Sequence, residues 1–480
     1  MGKRLSMMDA VFLAGESRES MMHVGGLFPF TPPRDAPPNL LRALSEELKA
    51  SPTVTEPWNL KLRFPELLKN PLQSWVEDDD FDIDYHVRRS ALPTPGDERE
   101  LGILVSRLHG IPLDFHRPPW EVHFIEGLTG GRFALYFKIH HSLIDGYTSM
   151  KMLAASLSTD PDARTTPMFF TQPPRRRTPQ PVTPDPMAAP DATGDQALTD
   201  VNPPTLTDLV MATAREQYGA AREAGRALMN VVRAARAHDR DLVAPMQAPR
   251  SIFNCRISRN RRFATQQVAM ERVRAIARTS GGTLNDVCLA LCAAGLRRLL
   301  LELDALPPQP LIAMLPVNIR PKGDPGGGNA VGAILASLAT DVEDPAARLD
   351  AIIASTSRAK EQLQGLTRSA ILQYSAMLMA PMSLQTMTGL GGRTRPAFNV
   401  VVSNVPGPDR PLYFRGARLD AVYPLSIPFH GYGLNITING YVDTLNFGYT
   451  GCRDALPKLQ RLAVYGGEAL DELERAVGGG

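Results

Sequence analysis

The stretch that most limits what this 480-residue chain can become is RFALYFKIHHSLIDG, Arg132 to Gly146. Phe133, Leu135, Phe137 and Ile139 alternate with Ala134, Tyr136, Lys138 and His140, which is the period-two pattern of a strand. Helical spacing takes over just afterwards, with Met150, Leu153, Ala154 and Leu157 at i, i+3, i+4 and i+7. Gly146 and its neighbours therefore make a turn from a strand end into a helix, and two histidines, an aspartate and a glycine share that corner. If the strand persists through the pair, His140 and His141 point to opposite faces and do not share one substrate atom or one metal ion. A single imidazole can take the proton of a bound alcohol as the alcohol attacks an acyl carbonyl, then return it to the leaving group. Such chemistry needs an activated donor such as a thioester, whose thiol, with a pKa of about 8 to 9, leaves more readily than an amine. Asp145 and Gly146 read as architectural: the glycine permits a tight backbone, and the aspartate can cap the helix or pair with an arginine. Against this stands the plainer reading of paired histidines as satisfied core residues.

The length suffices for two substantial domains with their own cores. Hydrophobic residues at 43% and charged residues at 21% are those of an ordinary globular protein, and a net charge of +2 argues against general nucleic-acid binding. Cys255, Cys288, Cys292 and Cys452 have no zinc-like spacing, so no metal site is expected; Cys288 and Cys292, one helical turn apart in an apolar segment, read as core thiols in a reducing cytoplasm. Asp9 and Glu16 interrupt the apolar residues after Lys3 and Arg4, unlike a signal peptide. No run of about 18 apolar residues suggests a transmembrane helix, so any membrane contact is expected to be peripheral.

Along the first half, Ser6 with Asp9 three residues on forms a capping box for a short amphipathic helix, after which Glu16 is either a site residue or a surface carboxylate. Met22 to Phe30 reads as a strand, Asn39 to Leu48 as a helix, Phe81 to Arg88 as a strand and Gly102 to His109 as part of a helix. Trp120 is either a wall of a substrate channel or a buried anchor. Val122 to Gly127 and Phe133 to Ile139 are expected to pair as a hairpin across LTGGR, delivering the histidines.

From Asp160 to Thr205 the composition changes abruptly, with eleven prolines and the basic run Arg175 to Arg177, which predicts a mobile crossover. Leu206 to Arg236 reads as a long arginine-bearing helix: a solvated helix packed on one side, or a basic surface touching an anionic membrane or lipid droplet. The division expected is thus 1–160, a linker at 161–205, a connecting helix at 206–240 and a second unit at 241–480. There, Thr283 and Asp286 form a second capping box, and Asn285 beside them offers an amide donor at a helix N-terminus, suited to an oxyanion. Leu311 to Arg320 reads as a strand leading into a loop. The Met-rich Ile371 to Met387, broken by Pro381, reads as a core helix.

The pattern HHSLIDG resembles the HHxxxDG motif of the CoA-dependent acyltransferase superfamily, and most of all the bacterial wax ester synthase/diacylglycerol acyltransferase family. The same family order is resembled by RLSMMDAVFLAGES at Arg4, PLDFHRPPWE at Pro112 (with Pro119 where leucine is usual), LNDVCLA at Leu284, PVNIR ending at Arg320, and AFNVVVSNVPGP at Ala397. The resemblance implies an α/β protein of two chloramphenicol-acetyltransferase-like domains, with mixed sheets, flanking helices and one active site in the channel between them. It implies His141 as general base, His140 as its support, and Asp145 held by an arginine, for which Arg320 is a candidate. The substrates implied are acyl-CoA, with no cofactor, and a long-chain fatty alcohol or diacylglycerol, reacting directly in a ternary complex in the cytoplasm or at the inner-membrane or lipid-inclusion surface. No G-x-S-x-G elbow and no H-E-x-x-H occurs. Two alternatives stay open: a condensation-type enzyme acting on carrier-protein thioesters, and a non-catalytic lipid-binding protein of the same fold.

Overall fold

The computed structural model describes residues 3–50, 53–144, 146–171, 219, 221–229, 242–318 and 331–478. In chain order its strands are β1 (Lys3–Arg4), β2 (His23–Thr31), β3 (Leu60–Leu62), β4 (Ser74–Glu77), β5 (Val87–Ala91), β6 (Trp120–Glu126), β7 (Phe133–His140), β8 (Arg261–Ala269), β9 (Ile312–Asn318), β10 (Val331–Ser337), β11 (Val400–Val405), β12 (Tyr413–Phe414), β13 (Ala417–Leu419), β14 (Tyr423–Leu425), β15 (Leu434–Tyr441) and β16 (Thr444–Cys452). One sheet runs β12-β13-β2-β7-β6-β5 with β14 also on β2, a second runs β10-β9-β11-β15-β16-β8, and β1-β4-β3 form a small third. Helices flank the two large mixed sheets, an α/β architecture of two units.

The strand β7 shows why alternation here does not mean a wet face. All eight of its residues are buried. Phe133, Leu135, Phe137 and Ile139 enter a core with Trp58, Trp120 and Phe169. Ala134 and Tyr136 enter another, with Leu101, Leu104 and Leu108 of the helix Glu98–His109. Because both faces are covered, the polar members Lys138 and His140 are carried inside as well. The partner strand β2 lies close enough only because Gly25, opposite Lys138, has no side chain: a Cβ there would meet the Phe137 carbonyl oxygen at 2.7 Å and the Tyr136 ring at 3.3 Å.

Two sets of contacts show how the units are stitched together. The Ser106 hydroxyl, on the helix Glu98–His109, accepts the Phe263 amide of β8 at 2.9 Å. Strands β12 to β14, residues 413–425, lie in the part of the sequence assigned to the second unit, yet they pair with β2: Leu419 stands opposite Phe30 and Tyr423 opposite Leu27. The division at residue 241 is therefore not a division of the sheets. The edge of β2 needs pairing, and a distant segment supplies it. At Gly448 of β16 a Cβ would stand 1.9 Å from the Pro424 carbonyl oxygen, so β14 and β16 meet backbone to backbone.

Three other expectations are corrected. Phe81 to Arg88 is not one strand: Asp82 caps a helical turn, Ile83–His86, by accepting the Asp84 amide, and extended backbone starts only at Val87. The start of the expected mobile crossover is core: Met168, Phe169 and Phe170 are buried beside Trp58 and Trp120, a short apolar run hidden in a proline-rich average. The rest of that crossover, and the helix expected over 206–236 except residues 219 and 221–229, lie outside the described residues. Finally, the helix Arg368–Met387 runs unbroken through Pro381 and is no core helix, since it buries only Ala370, Tyr374, Ser375 and Leu378.

Candidate active site

His140 is the last residue of β7 and pairs across the sheet with His23. It is 1% exposed. The Ser142 amide donates to its Nδ1 at 3.2 Å, which places the ring proton on Nε2, facing Oε2 of Glu16 at 3.3 Å. The Ser142 hydroxyl lies 2.6 Å from the same Nδ1, and Phe115 packs edge-on against the ring. Glu16 follows the helix Met7–Gly15, whose capping box of Ser6 and Asp9 forms as the sequence predicts. Its Oε2 also accepts the Met22 amide at 2.5 Å.

His141 is held differently. Its amide donates to the Met22 carbonyl at 2.9 Å, and its half-buried ring stacks on Phe12 with centroids 3.9 Å apart. The segment from Glu16 to Met22 thus fixes the side chain of one histidine and the backbone of the next. One imidazole is enclosed and fully bonded; the other is backed by an aromatic ring and partly open. A histidine that must meet substrate needs the second environment.

The remaining candidates fall in several places. Gly146 is the first residue of the helix Gly146–Ala155. Asp145 and Arg320 lie outside the described residues, and so does any contact between them. Asn285 stands in the first turn of the helix Leu284–Glu302, capped by Thr283 and Asp286. Its Oδ1 accepts from Asn404 at 3.5 Å, so its two N–H donors are directed elsewhere. Trp120 is fully buried, donates from Nε1 to the Trp58 carbonyl at 2.8 Å, and stacks on His86 and Phe170. It is an anchor of the core and not a channel wall.

Beneath the histidines lies a polar layer that the sequence did not advertise. Lys138 Nζ stands 3.2 Å from Glu121 Oε2 and donates to the Leu108 and Ile111 carbonyls at the end of the helix Glu98–His109. Burial pushes the Glu121 carboxyl up, but a hydrogen bond from His123 and the charges of Lys138 and Arg88 outweigh it and hold the group at about 2. His109, wholly enclosed, is brought down to about 3 by burial and by the Arg261 and Lys138 charges. Phe12 and Ser142 were likewise missed. Ser142 lies inside the motif, two residues from its partner, whereas nothing local marks Phe12.

An apolar cavity of about 300 Å³ lies against the helix that Gly146 begins, lined among others by Phe28, Leu153 and Leu157 from the first unit and by Pro408, Leu412 and Asn439 from the second.

Comparison with known proteins accords with this geometry. The wax ester synthase/diacylglycerol acyltransferase catalytic domain model matches residues 5–288, and the WS/DGAT C-terminal domain model matches residues 327–474. A Mycobacterium tuberculosis protein bearing the name of a diacylglycerol O-acyltransferase is 54% identical over 488 residues, spanning 99% of this chain and 98% of its own. The O-acyltransferase WSD of Acinetobacter baylyi is 38% identical over 472 residues, spanning 98% and 96%. Among solved structures, the wax ester synthase/diacylglycerol acyltransferase of Marinobacter aquaeolei superposes with a TM-score of 0.77 at 37% identity, over 99% of this chain and 100% of that one. The chain is an acyltransferase and belongs to the wax ester synthase/diacylglycerol acyltransferase family.

Proposed function

We propose that this protein transfers a fatty acyl group from acyl-CoA to the hydroxyl of a long-chain alcohol or diacylglycerol, with His141 as the general base. The observation that carries the reading is the contrast between the two imidazoles: His140 is enclosed by Glu16 and Ser142, while His141 is half-buried against Phe12. In the reaction, His141 takes the hydroxyl proton as the alcohol oxygen forms its bond to the thioester carbonyl. The C–S bond then breaks, and the same imidazole returns the proton to the departing thiolate sulfur. No acyl-enzyme is needed. Glu16 and His140 act as positioning residues, fixing the backbone turn on which His141 is mounted.

The N–H donors of Asn285, at a helix N-terminus, would stabilise the oxyanion of the tetrahedral intermediate. Asp145, held by an arginine such as Arg320, would keep the corner in shape. The apolar cavity between the units would take an aliphatic chain of one substrate. The test measures thiol release from palmitoyl-CoA by the purified full chain with hexadecanol, with diacylglycerol and with neither. Release that depends on an acceptor supports the reading, and the ratio of the two acceptors names the main product. Release from a carrier-bound acyl group but not from acyl-CoA would replace it with condensation-type chemistry.

A further inference from the structure

We propose that the helix Arg368–Met387 and the turn that follows it form the surface by which this protein docks on an anionic phospholipid bilayer, beside the helix that backs His141. From Gln362 to Pro408 the sequence contains no aspartate or glutamate. A surface helix ordinarily turns charged residues to water. This one does the reverse: Leu372, Ala376, Ala380, Leu384 and Met387, spaced by four or three residues on one face, are exposed, Leu384 at 63% and Met387 at 86%. The other face packs Tyr374 and Leu378 against Ala224, Ala227 and Phe398. Only the uncharged Ser383 and Thr386 break that exposed face after Arg368, a composition suited to contact with a second apolar phase, and Leu390, in the turn beyond the helix end, extends the exposed patch.

Arginines stand at both ends of the patch. Arg368 begins the helix; Arg393 and Arg395 follow it, all exposed. Arg250 donates to the Arg393 carbonyl and Arg256 to the Gly389 carbonyl, which brings two more exposed guanidinium groups to the same turn. Just before the helix, the Thr367 hydroxyl donates to the Glu223 carboxylate at 3.2 Å. Apolar side chains flanked by arginines fit the headgroup boundary of an anionic bilayer, where hydrocarbon is buried and guanidinium groups meet phosphate. No described helix is long and apolar enough to cross a membrane, so the contact is made from one side.

Position gives the patch its use. The helix Met7–Gly15 packs against the helix Arg368–Met387, exposes Val11 at 56% and carries the Phe12 that stacks on His141. Lys3, Arg4 and Arg18 are exposed around it. Docking here would bring a water-insoluble acceptor to the base without its crossing bulk water. This deepens the acyl-transfer reading and rests on it for its purpose.

The test is co-sedimentation of the purified full chain with phosphatidylcholine vesicles and with vesicles that also contain phosphatidylglycerol, at low and high salt. The wild type is expected to partition to the anionic vesicles at low salt, much less at high salt, and little to phosphatidylcholine alone. Leu384→Ser with Met387→Ser, and separately Arg368→Glu with Arg393→Glu, should each weaken partitioning about tenfold or more with unchanged thermal midpoints. Leu301→Ser, at a leucine 53% exposed on another helix, should bind as wild type does. Equal binding by the patch variants, no binding by the wild type, or binding indifferent to phosphatidylglycerol would overturn the proposal. Partitioning is read without turnover, so the acyl-transfer reading can fail or hold independently.

Discussion

Nε2 of His140 lies 3.3 Å from Oε2 of Glu16, an oxygen that also receives the Met22 amide. One carboxylate oxygen thereby ties the enclosed imidazole to the residue whose carbonyl holds the His141 backbone. Glu16→Ala removes the acceptor that serves both partners. The expected result is a kcat lower by roughly ten- to a hundredfold, short of removing a general base, with KM for acyl-CoA little changed. Glu16→Asp, which keeps the charge but shortens the reach, should recover part of the loss; steady-state kinetics of the three proteins decides.

Phe12 sets the other histidine. Phe12→Ala removes a stacking partner worth about 0.5–1.5 kcal/mol, so kcat/KM should fall by roughly three- to tenfold while Phe12→Tyr stays near wild type. A Phe12→Ala enzyme as active as wild type would show that the stack does not orient the base.

The Lys138–Glu121 pair predicts a stability effect distinct from catalysis. Both side chains are buried. Lys138→Met leaves the buried Glu121 carboxylate to the longer contacts with Arg88 and His123 and should cost about 1–3 kcal/mol, whereas Lys138→Met with Glu121→Leu should recover part of that loss. Chemical denaturation midpoints of the three proteins measure it.

Buried histidines make the fold sensitive to mild acid. Burial, opposed in part by a bond to the Trp120 carbonyl, brings His86 down to about 4; burial with neighbouring charges brings His109 to about 3, and His23 is also lowered well below its usual value. Unfolded histidines bind protons near 6.5 and these folded ones do not, so the unfolded state gains as pH falls below that value. Stability should be flat above about pH 7 and drop between about 6.5 and 4, by up to ~1.4 kcal/mol per pH unit for each histidine. Thermal midpoints across that range test the sign, and His109→Gln should flatten the slope.

Much of the site was legible because its signals are local. The alternation into β7, the Ser6–Asp9 and Thr283–Asp286 boxes, and the β6–β7 hairpin each depend on neighbours within a few residues. What escaped depends on distant pairing. No periodicity announces that residues 413–425 close the edge of β2, or that Phe12 reaches His141. Trp120 was undecidable from its own segment, since the carbonyl that accepts its indole belongs to Trp58 and its stacking ring to Phe170. The turn at Ile83–His86 shows the converse failure: one capping aspartate overrides a short alternating run.

Trp120→Phe should therefore leave the acyl-chain preference unchanged, while Trp120→Ala should destabilise the fold by about 3–5 kcal/mol. A shift in chain-length preference with intact stability would return the residue to the substrate channel.

The proposed mechanism requires that His141 moves the proton and that His140 positions the turn carrying it. The most direct measurement is acceptor-dependent thiol release from palmitoyl-CoA by wild type, His141→Ala and His140→Ala, with acyl-CoA binding followed separately by calorimetry. His141→Ala should bind the donor but lose about 10²–10⁴-fold in turnover, with a smaller loss for His140→Ala. Turnover by His141→Ala within a few fold of wild type would contradict it.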